Sequence, residues 1–422
     1  MSRKQRALAI LDSLMPGIQD LGQRLFQTPE LGFKEYETAA LIGQYLSDHG
    51  MTFEEGIALT GVRAKLGQEG YHVALVADMD ALEVQGSQGP FVMHACGHSI
   101  QLAIMLAVIH SLHILNKEAP LAGQVSFMAT PAEEFLDLDY RRGLIAQGKI
   151  AYPSGKQNMI AQGFFDQVDS VLSCHVMGES DKSFDVGSSL TGFTVKKVIF
   201  QGQAAHSGVA PHEGKNALHA ANLCLQAAAF LQQEFAPEAG VRLYPILTQG
   251  GLSMNAIPER AVLESYLRAN SLEDLLRLRH RFDQIARHSA LAMDISCQIQ
   301  ETVGYLPLVQ SAALNEIVYQ NMLTLCPPEA IARNPVSGAS GDIGDLARIL
   351  PTVQFGFSGI QGRVHSQDFR ISEPERIYRD SAKVVLGTVM DLLENPAFQL
   401  SNPHYEADKA AYLKDWLGQT RE

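Results

Sequence analysis

The chain has 422 residues, 46% of them hydrophobic and 19% charged, with a formal net charge of -13 at pH 7. That length exceeds what one core fills and predicts about two or three domains of ordinary globular composition. The acidic balance excludes a nucleic-acid binder, because no basic stripe is present to neutralise phosphates.

No apolar run reaches the length of a bilayer span, and Asp12 interrupts residues 7–11 before they can serve as a secretory segment, so no membrane partner is expected. Five scattered cysteines (Cys96, Cys174, Cys224, Cys297 and Cys326) do not form a disulfide framework, so a reducing, cytoplasmic setting is expected.

Residues 5–50 carry helical periodicity through Leu8, Leu11, Ile18, Leu21 and Leu25. Thr28-Pro29-Glu30 breaks it, and a second helix starts near Glu37 and ends near Gly50. Residues 71–77 read as a strand followed by Asp78-Met79-Asp80. Next comes Met93-His94-Ala95-Cys96-Gly97-His98-Ser99, a thiol and an imidazole two residues apart on a glycine-containing turn. The apolar run 102–109 behind it reads as a buried helix. Residues 124–129, 168–172 and 351–357 are three further strands. They lead into Glu133-Glu134, Cys174-His175 and Val364-His365 respectively.

Helical segments separate these strands, which makes the class α/β. In such sheets, ligand-binding groups gather beyond the carboxyl ends of the strands. Asp78, Asp80, Glu133, Glu134, His175 and His365 are expected there. Residues 191–302 follow another rhythm, strand–helix–strand–strand–helix–strand, which is a ferredoxin-like α+β module. The domain expectation is therefore residues 1–190 with 303–422, interrupted by an inserted domain at 191–302. The tail beyond Asn395, with the single Trp416, reads as peripheral packing.

Taken singly, each of these polar residues has a mundane reading as a solvated loop carboxylate or a satisfied core histidine, and a lone Cys-Gly-His arises by chance. Together, Cys96, His98, Glu134, His175 and His365 form a thiolate, imidazole and carboxylate set suited to zinc or manganese. Five protein ligands exceed what one open catalytic site needs. Two divalent ions sharing a bridging ligand would use them all, and such a pair can acidify a water and polarise a carbonyl. Glu134 can then ligate while Glu133 accepts the proton of the attacking water. Asp80 either orients a ligand histidine through its second nitrogen or caps a helix.

Several segments carry a resemblance that spans nearly the whole chain. They are Thr28-Pro29-Glu30-Leu31-Gly32, Ala77-Asp78-Met79-Asp80-Ala81-Leu82, His94-Ala95-Cys96-Gly97-His98 and Pro131-Ala132-Glu133-Glu134. Ala205-His206-Ser207, Asn255-Ala256-Ile257-Pro258-Glu259 and Val364-His365-Ser366 complete the set. The chain resembles the dinuclear metallo-amidohydrolases that include plant auxin-conjugate hydrolases, bacterial aminoacylases and aminobenzoyl-glutamate hydrolases.

The resemblance implies a catalytic domain with a central mixed sheet and flanking helices, and a ferredoxin-like lid that also dimerises. It implies Cys96, His98, Glu134, His175 and His365 as metal ligands and Glu133 as general base. It implies that His206 completes the oxyanion site of the partner subunit in a homodimer, and that Asn255 and Arg268 hold a small N-acyl amino acid substrate. Where the family usually has an Asp after the ligand His and another His two residues later, this chain has Ser99 and Gln101. Phe26 stands for a usual His and Glu83 for a usual Pro, and residues 337–345 resemble the aminobenzoyl-glutamate branch more than the auxin branch. The competing readings are a dipeptidase of the same family, a metal-binding relative without turnover, and a thiol hydrolase using Cys96 as nucleophile.

Overall fold

A computed structural model describes residues 1–420. Its backbone clusters into two compact units. The first comprises Met1–Ser189, Val309–Val336 and Asp345–Lys409; the second comprises Leu190–Leu308, Ser337–Gly344 and residues 410–420. The second unit thus takes in two segments outside residues 191–302.

In the first unit, eight strands share one sheet: β1 Phe53–Ile57, β2 Gly61–Gly67, β3 His72–Asp78, β4 Gln124–Thr130, β5 Ser170–Val176, β6 Phe184–Val186, β7 Ile331–Arg333 and β8 Thr352–Phe357. Their spatial order is β1-β2-β4-β3-β5-β8-β6-β7. The central four, β4, β3, β5 and β8, are mutually parallel. β2 and β6 join them antiparallel, which makes the sheet mixed. Every residue of β3 is buried. That is the pattern of a strand covered on both faces, and it explains an unbroken apolar run where an alternating one would mark a half-exposed strand.

Four helices carry most of the packing: α1 Arg3–Phe26, α2 Tyr36–Asp48, α3 His98–Glu118 and α4 Pro374–Glu394. α1 begins on a capping box in which Ser2 and Gln5 exchange side-chain and backbone hydrogen bonds. It buries Ala7, Leu11, Ile18, Leu21 and Leu25 against α3 and α4. α3 lies against the sheet and is buried on every side from His98 to Leu112. Among the described residues it is the one helix long and apolar enough to cross a membrane, and 94% of its apolar window is inside the fold. The core accounts for that apolarity; truncating one such leucine to alanine should cost about 2–5 kcal/mol.

In the second unit, Gly192–Gln201, Arg260–Ala269 and Ser296–Val303 are long antiparallel strands. Ala217–Leu231 and Leu272–Ala292 are the two helices that pack on them. The expected single strand at 241–248 is two short pieces, Arg242–Leu243 and Ile246–Gln249, both beside Arg260–Ala269. Pro245 falls at the break, where the lack of an N–H stops the ladder. The strand order, Arg242–Leu243, Arg260–Ala269, Gly192–Gln201, Ser296–Val303, is that of the strand–helix–strand–strand–helix–strand module. Trp416 belongs to this unit, buried beneath the Arg279 guanidinium at 5.3 Å from its ring centroid.

Candidate metal centre

The polar groups of the first unit collect at the carboxyl edge of the parallel strands. β3 ends at Asp78, two residues before Asp80. His175 lies inside β5, one residue from its end, because the ladder to β8 continues through Gly356 and Phe357. The expected strand at 168–172 therefore runs further, and His175 points from strand backbone, not from a loop. Gly97 turns the chain into α3 with φ of +78°, and a β-carbon there would meet Val176 at 2.9 Å. Glycine meets both demands, and it sets Cys96 and His98 on either side of one tight turn.

Two other loops hold strained residues beside the candidate ligands. Ala132 (φ 55°) and His365 (φ 60°) occupy the left-handed region that non-glycine residues avoid, a conformation that surrounding contacts must impose. For Ala132 the contacts are visible. The buried Glu35 carboxylate accepts from the Ala132 N–H at 2.8 Å and from Thr60 Oγ1 at 2.6 Å. Arg141, also buried, donates to the carbonyls of Ala132, at 3.2 Å, and of Glu134. The His365 N–H donates to Ala95 O at 2.8 Å, tying its loop to the Cys96 turn.

These supports bring six donors into three overlapping clusters: Cys96, His98 and His175; Cys96, Glu134 and His365; His98, Glu133 and Glu134. Within each, the ligand atoms lie within 4.8 Å of one another. His365 Nε2 stands 3.2 Å from Cys96 Sγ and 3.3 Å from Glu134 Oε1, and His175 Nε2 stands 3.6 Å from Cys96 Sγ. Glu134 belongs to two clusters and Glu133 to one, which puts the former between two groups of donors and the latter at the margin.

The tautomers follow from the far side of the rings. His98 Nδ1 is 2.8 Å from the Asp80 carbonyl and His175 Nδ1 is 2.8 Å from the Val176 carbonyl. A carbonyl only accepts, so each Nδ1 carries a proton, and it is Nε2 that would turn a lone pair inward in the ligating form of either ring. Asp80 adds its carboxylate, with Oδ1 3.3 Å from His98 Nδ1 and Oδ2 accepting from the Glu134 N–H at 2.9 Å. It therefore braces two candidate ligands at once.

The electrostatics ask for cations. Burial and Glu134 push the Cys96 thiol up, but His175 and His365 outweigh them and bring it down to about 6. His365, hydrogen-bonded to Cys96 and Glu134, is raised to about 10. Burial opposes charge on His98, and Asp80 with Cys96 overcomes it to raise that ring well above its ordinary value. Protonation of these rings supplies the positive charge that the thiol and the carboxylates call for. His98 Nε2 is buried without a hydrogen-bond partner, as the lone pair of a metal ligand would be. The donor set of one thiolate, three imidazoles and paired carboxylates fits two divalent ions.

Other singled-out residues are placed elsewhere. Asp78 is buried in an ion pair with Lys156 and also accepts from Thr130 Oγ1 at 2.7 Å. Burial opposes its charge, but Lys156 holds it down to about 2. Gln101 accepts from the Asp78 N–H at 2.8 Å and donates to Ser173 Oγ at 2.9 Å, tying α3 to β3 and β5. Ser99 Oγ is buried without a partner. Phe26 stacks on Phe369 with ring centroids 6.5 Å apart.

His206, Asn255 and Arg268 belong to the second unit. His206 is exposed, and its Nδ1 accepts from the N–H groups of Gly208 and Val209, both at 3.2 Å, so Nε2 carries the proton and points outward as a donor. The Ser207 N–H donates to Asn255 O at 3.0 Å, pairing those two loops. Glu35 and Arg141, which shape the glutamate loop, were not legible in the sequence: one lies just ahead of a helix and the other in an ordinary charged helical turn.

The family description "Peptidase family M20/M25/M40" matches residues 74–391. The chain belongs to this family. It is a metal-dependent amidohydrolase or peptidase. It is 25% identical over 391 residues to the IAA-amino acid hydrolase ILR1-like 4 of Arabidopsis thaliana, covering 87% of this chain and 84% of the relative. It is 26% identical over 418 residues to the Xaa-Arg dipeptidase of Mus musculus, covering 93% and 90%. Its fold is similar to that of the YXEP protein of Bacillus subtilis, a dinuclear metal binding peptidase of the M20 family. The TM-score is 0.69 at 17% identity, over 91% of this chain and 99% of that one.

Proposed function

We propose that this protein hydrolyses the amide bond of N-acyl or N-aroyl amino acids. The observation that carries the reading is the convergence of three imidazole Nε2 atoms on Cys96 and Glu134, with Glu133 beside His98 at 3.9 Å. In this reading Cys96, His98, Glu134, His175 and His365 hold two divalent ions, zinc or manganese, which supply Lewis acidity to the scissile carbonyl and the attacking water. Glu133 accepts the proton of that water and delivers it to the leaving nitrogen. Asp80 keeps His98 in the ligating tautomer and fixes the backbone of Glu134.

In the second unit, the outward Nε2–H of His206 is suited to stabilise the developing oxyanion of a partner subunit in a homodimer. Asn255 and Arg268 orient the substrate amide and carboxylate. The five free cysteines suit a reducing, cytoplasmic setting. The similarity to a plant hydrolase of amino acid conjugates supports the substrate class. The similarity to a dipeptidase marks the nearest alternative, since both break the same kind of bond.

The test is metal analysis of protein purified without chelators, followed by turnover on N-acyl amino acids and dipeptides. Two ions per chain, activity lost to EDTA and faster turnover of acyl amino acids are expected. Activity that survives metal removal would point to Cys96 as a nucleophile. Exclusive turnover of dipeptides would transfer the assignment to a dipeptidase.

A further inference from the structure

Three histidines of the first unit gather toward the C-terminal end of α3, away from the candidate ligands. His110 and His113 are one turn apart on α3, so their side chains share a face of that helix. His49 directly follows α2, and its ring lies against that of His110 with centroids 4.1 Å apart. His98 starts α3, and the helix rise puts His110 about 18 Å further along it.

Each ring is held from behind. His49 Nδ1 is 2.7 Å from the Tyr45 carbonyl, and His110 Nδ1 is 2.7 Å from the Tyr45 hydroxyl. The His113 ring bonds the His49 carbonyl, and its Nε2 is buried without a hydrogen-bond partner. A carbonyl only accepts, so His49 and His113 carry a proton on Nδ1 and a lone pair on Nε2. The Tyr45 oxygen can accept in the same way, which gives His110 the same tautomer. A far nitrogen fixed by an acceptor, with Nε2 left over, is also the arrangement of His98 and His175. Burial, followed by the His49 and His113 rings and Lys117, lowers His110 to about 4. Burial, followed by Lys117, lowers His113 as well. Both rings are therefore neutral near pH 7, the form that ligates a metal.

Beside the rings, α1, α2 and α3 enclose a cavity of about 260 Å³. His49, His110, Asp20 and Asp48 all line it, so two carboxylates face the space that the imidazoles border. Gly17 of α1 borders it without adding a side chain.

We propose that His49, His110 and His113 bind a divalent transition-metal ion at a site separate from the candidate metal centre. Imidazole nitrogens suit zinc, copper and nickel, and the cavity leaves room for water to complete the coordination. The three are not among the sets whose ligand atoms already lie within 4.8 Å of one another, so the ion draws them together. His49 is the ring that turns: it is half-buried, just past the end of α2, and on the cavity wall. The bound ion ties α2 to α3 and adds stability according to its affinity. The assignment uses none of the residues of the proposed reaction.

The experiment titrates zinc into metal-stripped wild type, His49→Gln, His113→Gln and Cys96→Ser, followed by elemental analysis. Each histidine variant should hold one ion fewer per chain than wild type, or bind that ion about a hundredfold more weakly. Cys96→Ser should keep it. The comparison is between variants, so it stands whatever the candidate metal centre holds. Equal zinc binding in wild type and both histidine variants, or loss of the same ion in Cys96→Ser, overturns the proposal. Loss in His49→Gln alone overturns the three-imidazole set. Acylation of wild type with diethyl pyrocarbonate, mapped by mass spectrometry, needs no variant to fold. Zinc should protect His49 from modification, and equal modification with and without zinc overturns the site.

Discussion

Lys196 in the second unit is as buried as His98 in the first, yet the two are satisfied by different means. Lys196 reaches Asp283 at 2.8 Å and Glu301 at 2.7 Å, and Arg279 reaches Glu301 at 2.6 Å. Each charge meets its opposite, and the cluster is closed. Around His98 the inward atoms are a thiol, carboxylate oxygens and imidazole nitrogens, all acceptors once their protons leave. A closed cluster of this kind serves the fold, because its interactions are complete when the chain folds. An open one keeps unspent lone pairs at a fixed place, at a cost in stability that a bound cation offsets.

The largest expected effect breaks the open cluster at its chemistry. Glu133→Gln keeps size but cannot accept a proton, so turnover should fall by roughly two to four powers of ten while metal content stays near wild type. Stopped assays and elemental analysis on the same preparation check both halves. If the substitution strips the metal while Glu134→Gln spares it, the roles of the two glutamates are exchanged.

Breaking the closed cluster should act on stability. Glu301→Gln leaves Lys196 and Arg279 buried with less negative charge, and should destabilise the protein by about 3–5 kcal/mol. Denaturant unfolding measures the loss. Metal content should not follow it, whereas Cys96→Ser should lower metal content with a smaller loss of stability in the metal-free protein. A parallel loss of metal in Glu301→Gln would erase the distinction between the two clusters.

Arg141 sharpens the comparison, since it supports the open cluster without supplying a donor to it. Arg141→Met keeps the apolar stem and removes the hydrogen bonds to the Ala132 and Glu134 carbonyls. The strained loop should relax, with kcat falling about tenfold to a hundredfold. Metal affinity should weaken less than in Glu134→Gln, a split that titration with a chelator resolves.

The smallest effect concerns histidines that belong to neither cluster. Burial lowers His72 to about 4, with its ring between the Gln167 carbonyl at 2.8 Å and Ser126 Oγ at 2.7 Å. Burial likewise lowers His110 to about 4. Their folded values lie below the unfolded value of about 6.5, so between those limits the unfolded chain binds more protons. The stability they contribute is whole above pH 6.5 and is lost as pH falls toward about 4. His72→Gln should flatten that part of the stability profile; an unchanged slope would show that His72 is not its source.

What the sequence determined by itself is local. Helical periodicity placed α1 and α2, short and mostly apolar runs placed β3, β4, β5 and β8, and donor-type residues just past those runs, or near their ends, marked the candidate ligands. Each of these signals is carried by neighbours along the chain. The strands β1, β2, β6 and β7, and the hairpin of Leu82–Gly86 with Gly89–Met93, were not legible. They lie at the edges of the sheet or outside it, and partners from distant parts of the chain fix them more than their own pattern does.

The same distinction separates the site residues. Cys96, His98, Glu134, His175 and His365 stand out because thiols, imidazoles and paired carboxylates are scarce and chemically particular. Glu35 and Arg141 look like any surface charge in the sequence. Only the tertiary structure sets them against a backbone turned into the left-handed region. Their roles are electrostatic and depend on distances between residues far apart in the chain, which folding alone fixes.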